Sequence, residues 1–342
     1  MQQNLRKQPQ FLMGAGLCAL FSLLAIFGYA ICPDDSPNAN QIMPEWGSLK
    51  PGTRVQYLEK NSQESRPFWF FLSGWAGRGE MVSVEPSTLQ QKDMQWAFVS
   101  PKTGQPMSLP RSQYSLKERR FWLGSDTFGR DILSRMIIGA RISLSIGFLA
   151  TLISLIIGAS IGLYAGYYGG KLDAGLTWLI TVFWALPTLL LALGLSFFMG
   201  KGYLQVLIAT GLSTWVEVAR VVRGQTLQLK NKEFILASRI SGFPTAHILF
   251  RHILPNLKGS LTVLATTNFA SAILLEAGLG FLGLGVAPPT PSWGLLVKEN
   301  LGYLVLDQAY LVLIPGSAIM LLVMAFNLMA MGLRDAMDTQ SR

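Results

Sequence analysis

The sequence predicts an all-α polytopic membrane protein with six transmembrane helices and one small external insert. Three observations support this fold class. Half of the 342 residues are hydrophobic and only 14% are charged, with a mean hydropathy of +0.37; this composition is typical of a bilayer protein and not of a soluble domain. Apolar stretches long enough to span a bilayer recur six times. A basic segment between two of them marks one face of the membrane.

The predicted spans are 11–31, 142–165, 174–198, 202–219, 260–285 and 309–331. The first follows a basic start and has an apolar run of about 21 residues, which is long for a signal-peptide core. We therefore expect an uncleaved signal-anchor helix, with a cleaved signal peptide as the alternative. In the third span, Pro187 is expected to kink the helix. Two cysteines, Cys18 and Cys32, do not suggest a disulfide framework.

The charge distribution predicts the orientation. The segment 220–258 contains one acidic residue, Glu233, and seven basic residues: Arg220, Arg223, Lys230, Lys232, Arg239, Arg251 and Lys258. This excess predicts a cytoplasmic loop. Arg6 and Lys7 place the N-terminus on the same side, and six spans return the C-terminus there. The net charge of +9 is thus explained by topology and does not indicate nucleic-acid binding.

The chain divides into three predicted parts. Residues 1–32 form the cytoplasmic N-terminus and the first helix. Residues 33–123 form an external insert, in which 69–71 and 81–84 have the pattern of short strands. This insert is either a cap over the outer mouth or a substrate-binding element. Residues 124–342 form the core, with five transmembrane helices and the loop 220–258.

Two features within the spans call for an interpretation. Gly158, Gly162, Gly166 and Gly170 recur at four-residue spacing, which gives a helix a smooth face for a close neighbour; that neighbour is either another helix of this chain or a second subunit. Glu276 is an intramembrane carboxylate, which is a functional candidate by default. The alternative, which we favour, is a buried structural group that is hydrogen-bonded to a neighbouring helix.

The basic loop has the pattern of two short helices with a sharp corner. Residues 231–241 can form a helix with Glu233 in its first turn, where a negative charge suits the helix dipole. Gly242 follows as a residue able to adopt φ > 0. Pro244 fits the first turn of a second helix, which Pro255 is expected to stop. An ordinary connecting loop is the alternative.

Motifs for chemistry are missing from the sequence. It contains no HExxH, no GxSxG, no metal-binding cysteine and histidine cluster and no GxxxxGK[ST] phosphate loop, so neither a cofactor nor catalysis by this chain is expected. If ATP drives transport, another chain must hydrolyse it.

Four blocks in the right order resemble the inner-membrane permease subunits of ATP-binding-cassette importers, most of all the second, C-type permease of the dipeptide/oligopeptide/nickel subfamily. They are GSDTFGRDILSR at 124–135, GARISL at 139–144, LLEAGLGFLGLG at 274–285 with PPTPSWG at 288–294, and the C-terminal residues Phe326, Asn327, Gly332–Asp335 and Asp338. The insert 33–123 is longer than the family leads us to expect, and Met331 stands where the family often has an acid.

The basic loop resembles the EAA loop, which in this family docks into a cleft of the ATPase. The resemblance assigns the ATPase-coupling positions to Ala237, Ser238, Gly242, Leu254 and Pro255. Two positions depart from the motif, because Leu236 replaces the family's glutamate and Ser238 its second alanine. Glu233, one turn earlier, is the candidate substitute for that glutamate.

The loop also contains apolar residues for a partner contact. Phe234, Phe243 and Ile248 are expected to bury against the partner. In the second short helix, Ile248, Leu249 and Ile253 are expected to lie along one side.

The resemblance implies a type I ABC importer permease core in the bacterial inner membrane. It also implies the partners: two ABC ATPase subunits, a second homologous permease, an external substrate-binding protein, and a peptide or related small solute. The alternatives are a passive channel, which needs no docking loop, and a non-transport membrane scaffold or intramembrane enzyme, which needs either no path or a catalytic cluster.

Overall fold

The computed structural model describes residues 8–34, 36–61, 74, 80–92, 94–305 and 308–338. Arg6, Lys7 and the strand-like run 69–71 lie outside the described residues. The helices are α1 (Pro9–Ile26), α2 (Gly28–Ile31), α3 (Ile132–Tyr168), α4 (Gly170–Ala185), α5 (Thr188–Met199), α6 (Tyr203–Leu229), α7 (Glu233–Ile240), α8 (Thr245–His247), α9 (Leu254–Asn256), α10 (Lys258–Leu282), α11 (Trp293–Asn300) and α12 (Tyr310–Asp338). A π-helical turn, Ile248–Ile253, joins α8 to α9.

The insert is a pair of small antiparallel sheets. Its strands are β1 (Thr53–Lys60), β2 (Met81–Val84), β3 (Gln90–Lys92), β4 (Gln95–Val99), β5 (Pro106–Pro110) and β6 (Tyr114–Phe121). One sheet has the order β2-β1-β6 and the other β3-β4-β5. Leu58, Val84, Phe98 and Tyr114 form a shared apolar core. The predicted β-containing insert is therefore confirmed within its described part.

Five described helices are long and apolar enough to cross a membrane, namely α1, α3, α6, α10 and α12. The bent pair α4 and α5 passes the same test together, with an angle of 91° at the break. Pro187 lies at that break, where its ring and missing N–H prevent a continuous helix. The kink expected there is confirmed, and it is sharp enough to divide the helix into two.

The bent pair completes one crossing. Lys230, just after α6, donates to the carbonyl of Gly166 near the end of α3 at 2.9 Å. The Tyr203 hydroxyl, at the start of α6, donates to Ser145 Oγ in the first half of α3 at 3.1 Å. Helices α3 and α6 are therefore parallel neighbours, and α4 with α5 must carry the chain from the end of α3 back to the other end of the bundle, where α6 begins. This path gives the predicted six crossings.

Two helices extend well beyond their predicted spans. Helix α3 begins at Ile132, ten residues before 142, because Asp131 caps it by accepting the Ser134 N–H at 2.8 Å. Helix α6 runs to Leu229, ten residues past 219. Apolarity marks only the part of a helix in lipid, so it does not report the polar turns that continue at either end.

The glycine stripe of α3 packs inside the chain. A Cβ on Gly158 would lie 2.6 Å from the Trp215 carbonyl oxygen of α6, and one on Gly162 would lie 2.5 Å from that of Ala219. Gly166 faces Thr226 in the same way. The intra-chain alternative is correct for these three residues. Gly170 does not belong to the stripe, because it follows the end of α3 and has φ +59°.

The start of α1 and the end of α12 meet at the end of the bundle that carries the basic loop, where a Cβ on Gly259 of α10 would lie 2.9 Å from Met337 Cε of α12. A Cβ on Gly332 of α12 would lie 2.6 Å from Phe11 Cβ of α1. Gln225 of α6 donates to Ser260 of α10 at 2.7 Å. The insert is joined to the opposite end of the bundle, where Ser134 Oγ accepts the Asp34 N–H at 2.9 Å.

Candidate functional site

The loop between α6 and α10 is a compact helical corner. Helix α7 starts two residues later than expected, because a turn at 230–231 follows α6 and the Lys232 N–H bonds the Leu229 carbonyl at 3.0 Å. The expected stop at Pro255 is wrong. Helical structure passes through this proline, which occupies the first turn of α9, where a missing N–H removes no required hydrogen bond.

Gly242 forms the corner by ending α7 in a Schellman motif. Its φ is +77°. The Phe243 N–H bonds the Ser238 carbonyl at 3.2 Å, and the Gly242 N–H bonds the Arg239 carbonyl at 3.0 Å. This pattern requires a left-handed residue, which glycine adopts without a Cβ penalty. The sequence-based expectation for Gly242 is confirmed at the level of backbone conformation.

The inner side of the corner is fixed to the helical bundle. Ile235, Ile248, Leu249 and Ile253 are almost fully buried and belong to one cluster with Leu163 and Tyr167 of α3 and Val218 and Val222 of α6. Burial of such a side chain stabilises the fold by about 1.5–3 kcal/mol. The corner is therefore a rigid extension of α3 and α6.

Arg239 adds a polar attachment. Its guanidinium lies 4.7 Å from the ring centroid of Tyr167, and its Nε donates to the Tyr167 hydroxyl at 3.2 Å. Cation–π and hydrogen-bonding contacts thus hold α7 against the end of α3. On the next segment, the Phe243 ring stacks on His247 with centroids 4.8 Å apart. Both contacts limit independent movement of the corner.

The six predicted coupling positions differ in exposure. Glu233, Ala237, Gly242 and Pro255 are exposed. Ser238 is buried and its hydroxyl donates to the Phe234 carbonyl at 2.8 Å. Leu254 is half-buried against the cluster that fixes the corner. The exposed four are available to a partner, whereas Ser238 and Leu254 support the corner from inside.

The outer side of the corner carries large apolar side chains that are exposed in the described chain. We call this set the outer apolar surface; it comprises Phe234, Leu236, Ile240, Phe243 and Phe250. Ile240 is 88% exposed. Sequence reasoning named Phe234 and Phe243 as partner contacts but missed Leu236, Ile240 and Phe250. The spacing in the sequence indicates part of this surface, since Leu236 and Ile240 are four residues apart and therefore lie on one helix face.

Ile248 corrects a sequence-based expectation. It was expected to bury against a partner together with Phe234 and Phe243. It is 1% exposed and packs within the chain instead. Residues 248, 249 and 253 lie on one side of the helical run that continues through the π-helical turn, as the sequence predicts. That side packs against other parts of this chain and not against a partner protein.

Glu276 lies in α10 and is fully buried. Ser143 of α3 donates its hydroxyl to Glu276 Oε2 at 2.8 Å. Ser143 also accepts the backbone N–H of Trp293 at 3.4 Å, so the carboxylate belongs to a contact between α3, α10 and α11. This geometry is that of a structural group hydrogen-bonded between helices.

Glu276→Gln is expected to leave transport intact, because glutamine keeps the shape and the hydrogen bond to Ser143. Glu276→Leu is expected to destabilise the protein by about 1–3 kcal/mol, because the buried Ser143 hydroxyl loses its acceptor. Uptake assays and yields of folded protein check both. Loss of uptake in an assembled Glu276→Gln protein would instead assign the carboxylate a direct role.

The motif at 124–135 forms a buried ionic network at the end of the bundle opposite the loop. Arg130 Nε lies 2.6 Å from Asp126 Oδ2, and Arg135 Nη1 lies 3.0 Å from the same oxygen. Both arginines also contact Glu299 near the end of α11 at 3.0 Å. Burial raises the pKa of the neighbouring Asp131 carboxyl, against the effect of the hydrogen bonds from Ser134. The network ties the start of α3 to α11.

Comparison with known proteins matches the part of the sequence that contains the corner to one protein family. The profile of the family described as "Binding-protein-dependent transport system inner membrane component" matches residues 158–342, which include the corner, α10 and α12. The dipeptide transport system permease protein of Alkalihalophilus pseudofirmus is 40% identical over 221 residues, or 65% of this chain and 72% of the relative. The di/tripeptide transport system permease protein of Pseudomonas aeruginosa is 42% identical over 222 residues, or 65% and 73%.

Two further proteins are similar. The glutathione transport system permease protein of Pectobacterium atrosepticum is 42% identical over 217 residues, which cover 64% of this chain and 72% of the relative. An inward-facing structure of the MetNI methionine ABC transporter aligns with 60% of this chain and 97% of that chain, at 19% identity and a TM-score of 0.49. The assignment rests on the sequence matches, since the family profile covers more than half of the chain. The chain belongs to the family of inner membrane components of binding-protein-dependent transport systems.

Proposed function

We propose that this chain is one permease half of an ATP-driven importer for peptides or related small solutes. The observation that carries the proposal is the helical corner, which is fixed inside to α3 and α6 and presents the outer apolar surface. Relatives named for dipeptide, di/tripeptide and glutathione transport support the substrate class.

Two ATPase subunits are the proposed partners at the corners, one for each permease. Apolar side chains in the centre of a patch, with polar residues around them, are typical of a specific protein contact. Glu233 at the start of α7 supplies an exposed negative charge for a basic residue of the ATPase. Because the inner side is rigidly packed, movement of the bound ATPase is transmitted to α3 and α6.

A second homologous permease is proposed to complete the path, with an external binding protein delivering the solute. The bent pair α4 and α5 supports this arrangement, because only Ile180, Ala192 and Ser196 of its described residues are buried. Phe197 and Phe198 at the end of α5 are largely exposed. One corner and six crossings provide half of a two-sided path.

Reconstitution tests the proposal. Proteoliposomes with both permeases, the ATPases and the binding protein are expected to take up a labelled dipeptide only when ATP is supplied. The same uptake by a preparation that native mass shows to hold one copy of this chain and no second permease would contradict the two-permease arrangement. Uptake with two copies would indicate a homodimer. ATP-independent uptake would favour a channel.

The proposed localisation is the bacterial inner membrane with both termini and the corner in the cytoplasm. Reporter fusions check this orientation. A fusion at Ser87 in the insert is expected to be active only with a reporter that requires the periplasm, and a fusion at Lys230 only with one that requires the cytoplasm. The reverse result at either position would overturn the orientation derived from charge.

A further inference from the structure

An exposed carboxylate lies midway along a helix that crosses the membrane. Glu217 is fourteen residues from the start of α6 and twelve from its end, which places it about 21 Å and 18 Å from the two ends. It is exposed, as is Arg220 one turn later. The apolar run of α6 ends at 219, but Ser271 and Leu274, which line a cavity with Glu217, lie in the middle of α10, and this places Glu217 at membrane depth. Charged groups at this depth are strongly disfavoured in lipid. This face of α6 is therefore shielded from the acyl chains.

Glu217 lines a cavity of about 320 Å³ beside the break between α4 and α5. The polar lining consists of Glu217 and the hydroxyl residues Thr188, Ser213, Thr214 and Ser271. Ser213 and Thr214 donate their hydroxyl protons to the carbonyls of Ala209 and Thr210, at 2.7 and 3.1 Å. Their remaining lone pairs are acceptors. The cavity thus presents oxygen acceptors and a negative charge.

The helix break places two helix ends at the cavity, the N-terminal end of α5 at Thr188, which has positive potential, and the C-terminal end of α4, which has negative potential. Helix α4 ends at Ala185, and its last-turn residues Phe183 and Trp184 line the same cavity. The final carbonyls of a helix lack the usual backbone partners and carry the negative end of its dipole, which favours a cation. Discontinuous helices place ion and substrate sites at membrane depth for this reason.

Arg220 is the nearby positive charge, and it does not neutralise Glu217. Its guanidinium lies 3.4 Å from the ring centroid of Trp184. Glu217 forms no ion pair or hydrogen bond with another described residue. The carboxylate is therefore available to a ligand. Leu274 and Leu275 supply apolar lining beside it, which suits the carbon skeleton of an organic cation better than a bare metal ion.

We propose that Glu217, with the acceptor groups of this cavity, binds the primary ammonium group of the transported solute during its passage. This assignment rests on the proposed import function and names the group of the solute that this permease contacts. A peptide supplies such a group at its N-terminus or on a lysine side chain. Glu217 acts here as a specificity-determining residue and takes part in no covalent step.

The first test compares uptake of a labelled dipeptide with a free amino group by the complete transporter. Glu217→Gln is expected to lower uptake about tenfold, since a charge-assisted hydrogen bond is lost. Glu85→Gln, which alters an exposed carboxylate of the insert, is the matched control and is expected to match wild type. Equal uptake by Glu217→Gln and wild type would overturn the assignment.

A second variant tests charge directly. Glu217→Cys is expected to regain uptake after reaction with a sulfonate-bearing methanethiosulfonate, but not with its neutral methyl or trimethylammonium analogue. Cys18 and Cys32 are buried, and wild type treated in parallel controls for them. Equal rescue by the neutral and sulfonate reagents, or no reaction with any reagent, would overturn the assignment.

Two further arms distinguish binding of an ammonium group from binding of an inorganic cation and from a failure of import. Replacing sodium and potassium by choline, which has no N–H to donate, is expected to leave wild-type uptake unchanged. A loss would assign the cavity to an inorganic cation and overturn the ammonium assignment. Wild-type uptake in the same proteoliposomes reports on the import function alone. Its absence would reject the proposed function, whereas normal wild-type uptake with no effect at position 217 would reject only this inference.

Discussion

Replacing Gly242 with leucine is expected to uncouple ATP hydrolysis from transport while the protein still inserts and folds. The corner requires φ of +77° at this position. A leucine there costs about 1–2 kcal/mol in backbone strain. No atom lies within 4 Å of the added Cβ within the chain, so the bulk projects from the surface proposed to meet the ATPase. Uptake is expected to fall about tenfold or more, equivalent to at least ~1.4 kcal/mol of lost coupling.

A matched control separates the effect of backbone strain from the effect of the location of Gly242 in the corner. Gly104 has φ of +66° and also has no atom within 4 Å of an added Cβ, but it lies in the insert. Gly104→Leu is expected to transport normally. Uptake by Gly242→Asn is expected to lie between that of wild type and that of Gly242→Leu, because asparagine tolerates the left-handed region better than leucine does. Normal substrate-stimulated ATP turnover and uptake by a reconstituted Gly242→Leu complex would sink the assignment of this corner as the coupling site.

Replacing Arg135 with methionine is expected to cause the largest loss of stability. The Arg135 side chain is 1% exposed and contacts both Asp126 and Glu299. Methionine preserves much of the volume but leaves two carboxylates with Arg130 as their shared cation. Removing one member of a buried ion pair costs about 3–5 kcal/mol when the other is left without compensation, and Arg130 offsets only part of this cost here. Thermal unfolding of the detergent-solubilised complex and the yield of folded protein measure the loss.

The insert offers a comparison at an exposed pair. Arg54 and Glu118 are 3.3 Å apart, with 66% and 47% of their side chains exposed. Arg54→Met is expected to cost less than ~1 kcal/mol, because water already screens that pair. Arg135→Lys is expected to lose an amount of stability between those of Arg54→Met and Arg135→Met. Lysine keeps the positive charge but cannot contact both carboxylates at once. Unfolding of Arg135→Met at the same temperature as Arg54→Met would contradict a stabilising role for the network.

The sequence predicted those parts of the site that depend on local chemistry. Gly242 was identified because a helix that ends in a left-handed residue favours glycine. The kink at Pro187 was expected because proline removes a hydrogen bond and clashes with the preceding turn. The motif at 124–135 identified the family, but its pattern did not show that Arg130 and Arg135 share Asp126 and Glu299. Glu299 is 164 residues from Arg135, and only folding brings them together.

Composition and the spacing of apolar runs determined the fold class and the six crossings, and the distribution of basic residues predicts the membrane face on which the corner lies. These features follow from the cost of placing polar groups in lipid, which acts on each segment separately. The tertiary structure alone decided that Gly158, Gly162 and Gly166 face α6, that Ile248 is internal and Ile240 external, and that Glu217 borders a cavity at the helix break. A helix has one sequence but several faces, and contact with a neighbour decides which face is buried.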